Sequence, residues 1–335
     1  MADLLLYLAD GGLNLKLIKM ENQRKFHFCH INSYGDQLDE YKKLHNLLFR
    51  GAYVSKEWIK WYHNIIGSLD NKFSGTRTYA VYNANELIGI WSVEPKLFCG
   101  NEGNYIKTGR CFAVGIHPDY RRLGLFVSLS KYAIEQERNR AEFEYIIGFP
   151  QTGRSVIGGH LKAGWENVQE IGIYSVNLAN EDGLYSRSAI QDVRNFSEIE
   201  SPKGICGSYE ENQEYRNIRW LQHPYLHYMC FKHEDAFIIL KPYSNFCHIL
   251  DIKGNMKNVL ILLETSRSIA KRHGWIELNM WCANNELYKN QVKKAGFENG
   301  ANYGVPISMI AVRINAQKPL QLENCHIQMG VEEGY

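Results

Sequence analysis

The sequence predicts an α+β protein: a mixed, mainly antiparallel sheet flanked by helices and built as two copies of one unit. Three observations carry that expectation. Strand-like segments come in close pairs joined by polar turns, as antiparallel hairpins require. Long helical periodicities stand between strands rather than in a block of their own. The end of the element order also recurs, since Lys162-Ala163-Gly164-Trp165 and Lys294-Ala295-Gly296-Phe297 match at a fixed offset of 132 residues.

The elements follow in order. Residues 26–31 alternate as a strand, and 36–49 carry Leu38, Tyr41, Leu44, Leu47 and Leu48 at helical spacing behind an acidic cap, Asp36. Ser55 caps a second helix over 55–66. Residues 76–82 and 87–93, joined by Asn83-Ala84-Asn85-Glu86, read as a hairpin, and a third strand over 109–116 is halted by His117-Pro118. A long amphipathic helix over 124–140 leads to a strand over 143–149, closed by Pro150. A short helix over 155–163 then stops at Gly164, before a further strand. At the offset of 132, the strand over 143–150 lands on 275–282 and the long helix on about 258–273. A helical stretch over 210–221 and a hairpin-like pair, 228–232 and 237–240, precede them. The units are expected at 20–180 and 181–335, joined within the polar segment 180–202. Residues 1–19 are read as an extension or tag.

Composition narrows the class. At 335 residues the chain is about twice a typical domain of roughly 150. With 45% hydrophobic and 22% charged residues and a net charge of +2, it is neither disordered nor a basic nucleic-acid binder. The eight cysteines are scattered and never approach CxxC spacing, which argues against a zinc ribbon or a disulfide scaffold and fits a reducing cytoplasm best. The run Leu4-Leu5-Leu6-Tyr7-Leu8 lies between Asp3 and Asp10 and is too short to span a bilayer, so no membrane role is expected. His223, His227 and His233 straddle Pro224 and share no helical face, so no metal is expected.

The most informative stretch runs from Val114 through Gly115-Ile116-His117-Pro118-Asp119-Tyr120-Arg121-Arg122-Leu123-Gly124 to Leu125-Phe126. A strand ends, a turn follows, and a glycine stands where a helix begins. Unpaired N–H groups at such a helix start, reinforced by the helix dipole, suit a phosphate. Arg121 and Arg122 add charge, and Gly124 lets an anion approach the backbone. Standing alone, the same residues would read as a turn with solvated arginines.

On these residues the sequence resembles the GNAT superfamily of acyl-CoA N-acyltransferases, whose pyrophosphate loop follows Arg/Gln-x-x-Gly-x-Gly/Ala after a strand. Here the pattern is Arg121-Arg122-Leu123-Gly124-Leu125-Phe126, with Phe126 in place of the final small residue. The resemblance covers about 25–178 and extends to the second half in outline, as in tandem members with one degenerate unit. It implies acyl-CoA as co-substrate, bound by Ala113, Val114, Arg121, Arg122, Leu123, Gly124, Leu125, Phe126, Arg154 and Ser155. It also implies a small-molecule amine acceptor, and the tandem shape is similar to enzymes that acylate nucleotide-linked amino sugars, the anthrose-pathway type among them. An acetyltransferase of an antibiotic, peptide or protein lysine, or a non-catalytic acyl-CoA sensor, stands as the alternative. In this fold the strand before the loop splays from its parallel neighbour to admit the thioester, and Pro150, with no N–H to donate, suits that parting. The family's tyrosine position holds His160. In the second copy Lys253-Gly254-Asn255-Met256-Lys257-Asn258 lacks the paired arginines, so that unit is expected to bind no acyl-CoA and to wall the acceptor pocket instead.

Acyl transfer to an amine needs a deprotonated nitrogen, a stabilised oxyanion and a proton for the thiolate. Glu94, expected at a strand exit before Pro95, and His160 are the candidate acid–base residues; each also reads as a solvated edge or a helix packing residue. Oxyanion stabilisation is expected from a backbone N–H of Ala113 or Val114. Cys111 and Cys282 read as structural, and Glu142 and Glu144 as solvent-facing. In the aromatic cluster around 219–228, Trp220 and Tyr225 are the candidate acceptor-binding residues, through stacking.

Overall fold

The computed structural model describes residues 26–49, 53–69, 74–179, 190–199, 203–327 and 329–332. The expected extension at 1–19, and residues 180–189 and 200–202 of the expected join, lie outside them. In the first half the strands are β1 (Phe26–Ile31), β2 (Arg77–Asn83), β3 (Glu86–Cys99), β4 (Tyr105–Ile116), β5 (Tyr145–Gly148) and β6 (Glu166–Asn177). The second half supplies β7 (Gln191–Asp192), β8 (Met229–His233), β9 (Ala236–Pro242), β10 (Phe246–Lys253), β11 (Glu277–Ala283), β12 (Glu298–Asn299) and β13 (Ile307–Arg313). Helices α1 (Leu38–Leu48), α2 (Lys56–Lys60), α3 (Leu125–Arg140) and α4 (Ser155–Lys162) are followed by α5 (Gln213–Arg216), α6 (Met256–Arg272) and α7 (Lys289–Lys294).

All these strands join one sheet in the order β1-β2-β3-β4-β5-β13-β6-β11-β10-β9-β8-β7, with β12 also paired to β6. The path β2-β3-β4-β5-β13 has the same succession of senses as β8-β9-β10-β11-β6: antiparallel, antiparallel, parallel, antiparallel. Each parallel step is bridged by a long helix, α3 or α6, because parallel neighbours need a crossover. β13, from near the chain's end, lies between β5 and β6 and is antiparallel to both.

Local chemistry explains most boundaries. Ser55 accepts the Trp58 N–H at 3.1 Å and starts α2, which continues as a π-helical turn over Trp61–Ile65. Asp36 is not the cap of α1; Gln37 takes that place without a side-chain bond. α3 buries Leu125, Leu129, Ala133 and Ile134 against β2–β5, and α6 buries Val259, Leu262, Leu263 and Ile269 against β8–β11. Each such large aliphatic side chain contributes about 1.5–3 kcal/mol on burial. Glu137 on the same face of α3 is fully buried, accepting from Arg77 Nε and Nη2 at 2.8 Å and from the Tyr79 hydroxyl at 2.6 Å.

Two expectations are corrected. β3 does not end at Val93 but continues through Glu94 and Pro95 to Cys99, because β4 begins at Tyr105 and pairs with it throughout. Val93 is the last β3 residue paired with β2, so Pro95 stands past that ladder. Glu142 is not solvent-facing, since it pairs with Arg77 at 2.8 Å and accepts from Ser74; Glu144 is exposed as expected.

Burial holds His45 and His160 down to about 4 and His63 and His223 down to about 3. In the unfolded chain these imidazoles titrate near 6.5. Between pH 6.5 and 4 the unfolded chain therefore binds protons that the native state refuses, and stability falls with a slope that approaches, at most, about 1.4 kcal/mol per pH unit for each histidine involved. Urea unfolding at pH 7.0, 6.0 and 5.0 is expected to show a falling midpoint; a constant midpoint would contradict the burial of these rings.

Candidate functional site

β4 and β5 pair in parallel only over Thr108–Arg110 with Tyr145–Ile147. Beyond Arg110, residues 111–116 of β4 have no β5 partner, while the chain after β5 stays attached to the β13 side, through Ser308 N–H to the Pro150 carbonyl at 2.9 Å and Thr152 N–H to the Pro306 carbonyl at 3.0 Å. A wedge thus opens between the two strands. On its β4 wall the register with β3 shifts between Ile90 and Ser92, so that Ala113 and Val114 together oppose Trp91. Ala113 has a φ of 48°, a left-handed conformation that an alanine adopts only at a cost, and the bulge turns its peptide off the regular ladder.

At the end of β4, His117 N–H bonds the Ile88 carbonyl at 2.7 Å, and the Arg121 Nε donates to the Ile116 carbonyl at 3.1 Å, closing the turn. Gly124 is the N-cap of α3 with a φ of 76° and no side-chain cap, and the first turn of the helix contains no acidic residue. A Cβ at Gly124 would meet nothing within 4 Å, so the positive φ and not crowding selects glycine there. The uncapped N–H groups face a cleft of about 670 Å³ between the turn, the end of β4 and α4. Arg121, Arg122 and Lys162 line it, and among the described residues of its wall there is no carboxylate. Ser155, Gly158, Gly159 and Lys162 form the α4 wall at positions i, i+3, i+4 and i+7 of one helix face.

Of the residues expected to hold acyl-CoA, Val114, Arg121, Arg122, Gly124, Leu125, Phe126 and Ser155 line the cleft. Ala113 is on the adjoining bulge. Leu123 is 59% exposed, and Arg154 is exposed with its Nε on Gln151 at 3.0 Å. Phe126, in place of the small residue, packs over Gly159, where an added Cβ would come within 2.7 Å of the ring. The glycine of α4 thereby makes room for the larger side chain of α3. Sequence reasoning missed Gly159 and Lys162, although their spacing from Ser155 is the signal that would have found them.

Neither acid–base candidate meets the cleft. Glu94 is buried at 1% exposure, with Lys96 at 3.0 Å, Arg110 Nη2 at 2.8 Å and the Tyr62 hydroxyl at 3.1 Å. Burial alone would raise its pKa, but Lys96, Arg110 and Arg219 hold it down to about 2, which makes it a weak base. His160 faces the rings of Phe126 and Trp165 at centroid distances of 5.0 and 4.7 Å, and burial keeps it neutral. Trp220 is a core residue, 3% exposed and edge-on to Tyr228, while Tyr225 is 46% exposed; neither lines the cleft.

The equivalent place in the second half is built differently. β10 and β11 pair over Phe246–Ile249 with Glu277–Met280 and then part. The N-terminus of α6 is capped by Asn255, which accepts the Asn258 N–H at 3.0 Å, and Asp235 accepts from the Asn255 and Asn258 side chains at 2.8 and 2.7 Å. Glu234 accepts from Asn258 at 2.8 Å. Carboxylates thus stand where an anion would bind. The parting itself is closed by the chain's own 325–327. Cys325 pairs with Asn285 and Leu287 through backbone bonds of 3.0 and 2.8 Å, and the buried His326 ring lies 3.4 Å from Asp251 and 2.8 Å from Glu286. Burial alone would lower the His326 pKa, but Glu286 and Asp251 raise it to about 9, so the ring is charged at neutral pH.

No protein-family model matches this chain, and no curated protein matches it in sequence. Solved structures do match in shape. A probable N-acyltransferase from Enterococcus faecalis V583, described as a conserved protein of unknown function, shares 11% identity over 87% of this chain and 73% of its own, with a TM-score of 0.62. A GCN5-related N-acetyltransferase from Anabaena variabilis ATCC 29413 shares 10% over 86% and 73%, with a TM-score of 0.61. A putative acetyltransferase from Pyrococcus horikoshii shares 8% over 92% and 96%, with a TM-score of 0.56. The chain therefore has the GCN5-related N-acetyltransferase fold.

The Glu94 cluster yields a stability prediction. Glu94→Gln leaves Lys96 and Arg110 buried without their counter-charge and should destabilise the protein by about 3–5 kcal/mol. Denaturant unfolding at pH 7 checks this, and a change below about 1 kcal/mol would mean that the carboxylate is not the partner that holds them.

Proposed function

We propose that the protein is an acyl-CoA-dependent N-acyltransferase whose coenzyme binds only in the first half, and whose acceptor is a small amine, specifically a nucleotide-linked amino sugar. The observation that carries this reading is the uncapped, left-handed start of α3 facing a cleft lined by Arg121, Arg122 and Lys162. In this reading the coenzyme's diphosphate takes the N–H groups at that helix start, and the pantetheine arm runs along residues 111–116 of β4 into the wedge. The repeated strand order of the two halves supports a tandem arrangement, with the second unit degenerate.

Chemically, the neutral amine nitrogen attacks the thioester carbonyl carbon, and the backbone N–H of Ala113 or Val114 stabilises the oxyanion that forms. The carbon–sulfur bond then breaks, and the proton lost by the nitrogen goes to the departing thiolate or to solvent. Glu94 enters as a positioning residue. It fixes Arg110, the last β4 residue paired with β5, and so the point at which the strands part. His160 supports Phe126 from behind.

Arg121→Glu combined with Gly124→Val should abolish acetyl-CoA binding measured by calorimetry. Lys257→Glu, an exposed change at the start of α6, should leave it intact. Equal losses from both would place the coenzyme elsewhere. Release of thiol from acetyl-CoA that depends on added amine separates an enzyme from a sensor.

A further inference from the structure

On the opposite face of the sheet from the coenzyme cleft, a second cavity of about 200 Å³ opens at the end of β5. β5 itself connects the two faces. Ile146 packs with α3 in the core beneath the cleft, whereas Ile147 and Phe149 point into the core of the other face. Phe149 and Gln151, which follow β5 directly on its side of the parting from β4, line this cavity, so the β5 edge of the wedge and the cavity share one stretch of chain.

Both halves build its wall. Phe149 and Gln151 come from the first half, and His248, Trp281 and Val305 from the second, with Ile173 of β6 between them. The rings of Phe149 and Trp281 are stacked at 6.2 Å with an interplanar angle of 28°. Among the described residues of the wall none is Lys, Arg, Asp or Glu. His248 is held by Asn279, whose amide is oriented by two donations from its Nδ2, to Glu277 Oε1 and to the Tyr303 carbonyl, each 2.7 Å. Asn279 Oδ1 therefore accepts from His248 Nδ1, which fixes the tautomer and orientation of the ring. Glu277 is in turn fixed by the backbone N–H groups of Asn302 and Tyr303 at 2.8 and 3.1 Å. An uncharged, aromatic wall with one oriented imidazole suits a neutral ring that carries hydroxyls, and suits a linear polycation poorly.

We propose that this cavity is the subsite for the neutral sugar ring of the acceptor, seated against Trp281 and Phe149, and that Trp220 and Tyr225 take no direct part. The inference rests on the coenzyme reading above, and its test separates the two. Val305 is 43% exposed at the rim, so Val305→Trp fills the cavity without disturbing the core; Trp281→Phe trims the platform as a second variant. The protein saturated with coenzyme A would be titrated calorimetrically with a thymidine-diphosphate-linked 4-amino-4,6-dideoxyglucose, with glucosamine and with spermidine. At least one of the two sugar amines should bind the unmodified protein, bind Val305→Trp at least tenfold more weakly and Trp281→Phe at least threefold more weakly, and spermidine should not compete. Equal sugar affinity in all three proteins would overturn the subsite alone, whereas binding of spermidine alone, or no sugar binding, would overturn it together with the amino-sugar acceptor proposed above. Failure of coenzyme A itself to bind would instead overturn the reading on which it rests.

Discussion

β4 and β5 lie side by side for three residue pairs and then separate, and the opening in the sheet beside the start of α3 depends on that separation. Parallel neighbours buried within a sheet ordinarily stay paired, because an unpaired buried peptide costs free energy. Here each strand is held from its other side, β4 by β3 apart from the bulge and β5 with the residues after it by β13, while the peptide groups of 111–116 that face the wedge have no β5 partner. The wedge is therefore a built opening with rigid sides. Its β4 side carries the bulge at Ala113 and Val114, and its starting point is pinned by the buried ion cluster of Glu94, Lys96 and Arg110.

The two halves use one arrangement to opposite ends. In the first, the helix that follows the parting strand begins at a bare glycine between cations. In the second, the corresponding helix begins at Asn255 beside Asp235 and Glu234, and the parting is filled by Cys325, His326 and Ile327. The electrostatic sign at the helix start is thus reversed, and the space is taken by the chain itself. A charged imidazole between two carboxylates keeps that segment in place, a geometry in which a buried charge is tolerated because it is paired on both sides. β6 and β13 cross between the halves, so the sheet is continuous through the middle.

Much of this was legible in the sequence because it is local. Ser55, Gly124, Pro150 and Gly164 punctuate the chain through their own backbone chemistry, and the period of α3 and α6 is written in their apolar residues. What was not legible is what depends on register between distant segments. Glu94 looked like a strand exit because Pro95 follows it; only the pairing of β3 with β4 brings Arg110 beside it and turns a candidate base into a held anion. His160 stands where the proteins that the sequence resembles carry a tyrosine, yet the packing of Phe126 and Trp165 around it cannot be read from spacing. β13 could not be placed between β5 and β6 from any local pattern. For the same reason the cavity of Phe149, His248 and Trp281 was missed, since Phe149 stands 99 positions before His248 and 132 before Trp281 and meets them only in the sheet.

In the proposed reading the start of α3, and not that of α6, receives the coenzyme's diphosphate, which a crystal structure with coenzyme A would reveal. Diphosphate density is expected within hydrogen-bond distance of the first N–H groups of α3, near Arg121 and Arg122, with the sulfur end between β4 and β5 and the start of α6 empty. Density at α6, or a diphosphate bound away from both helices, would contradict it.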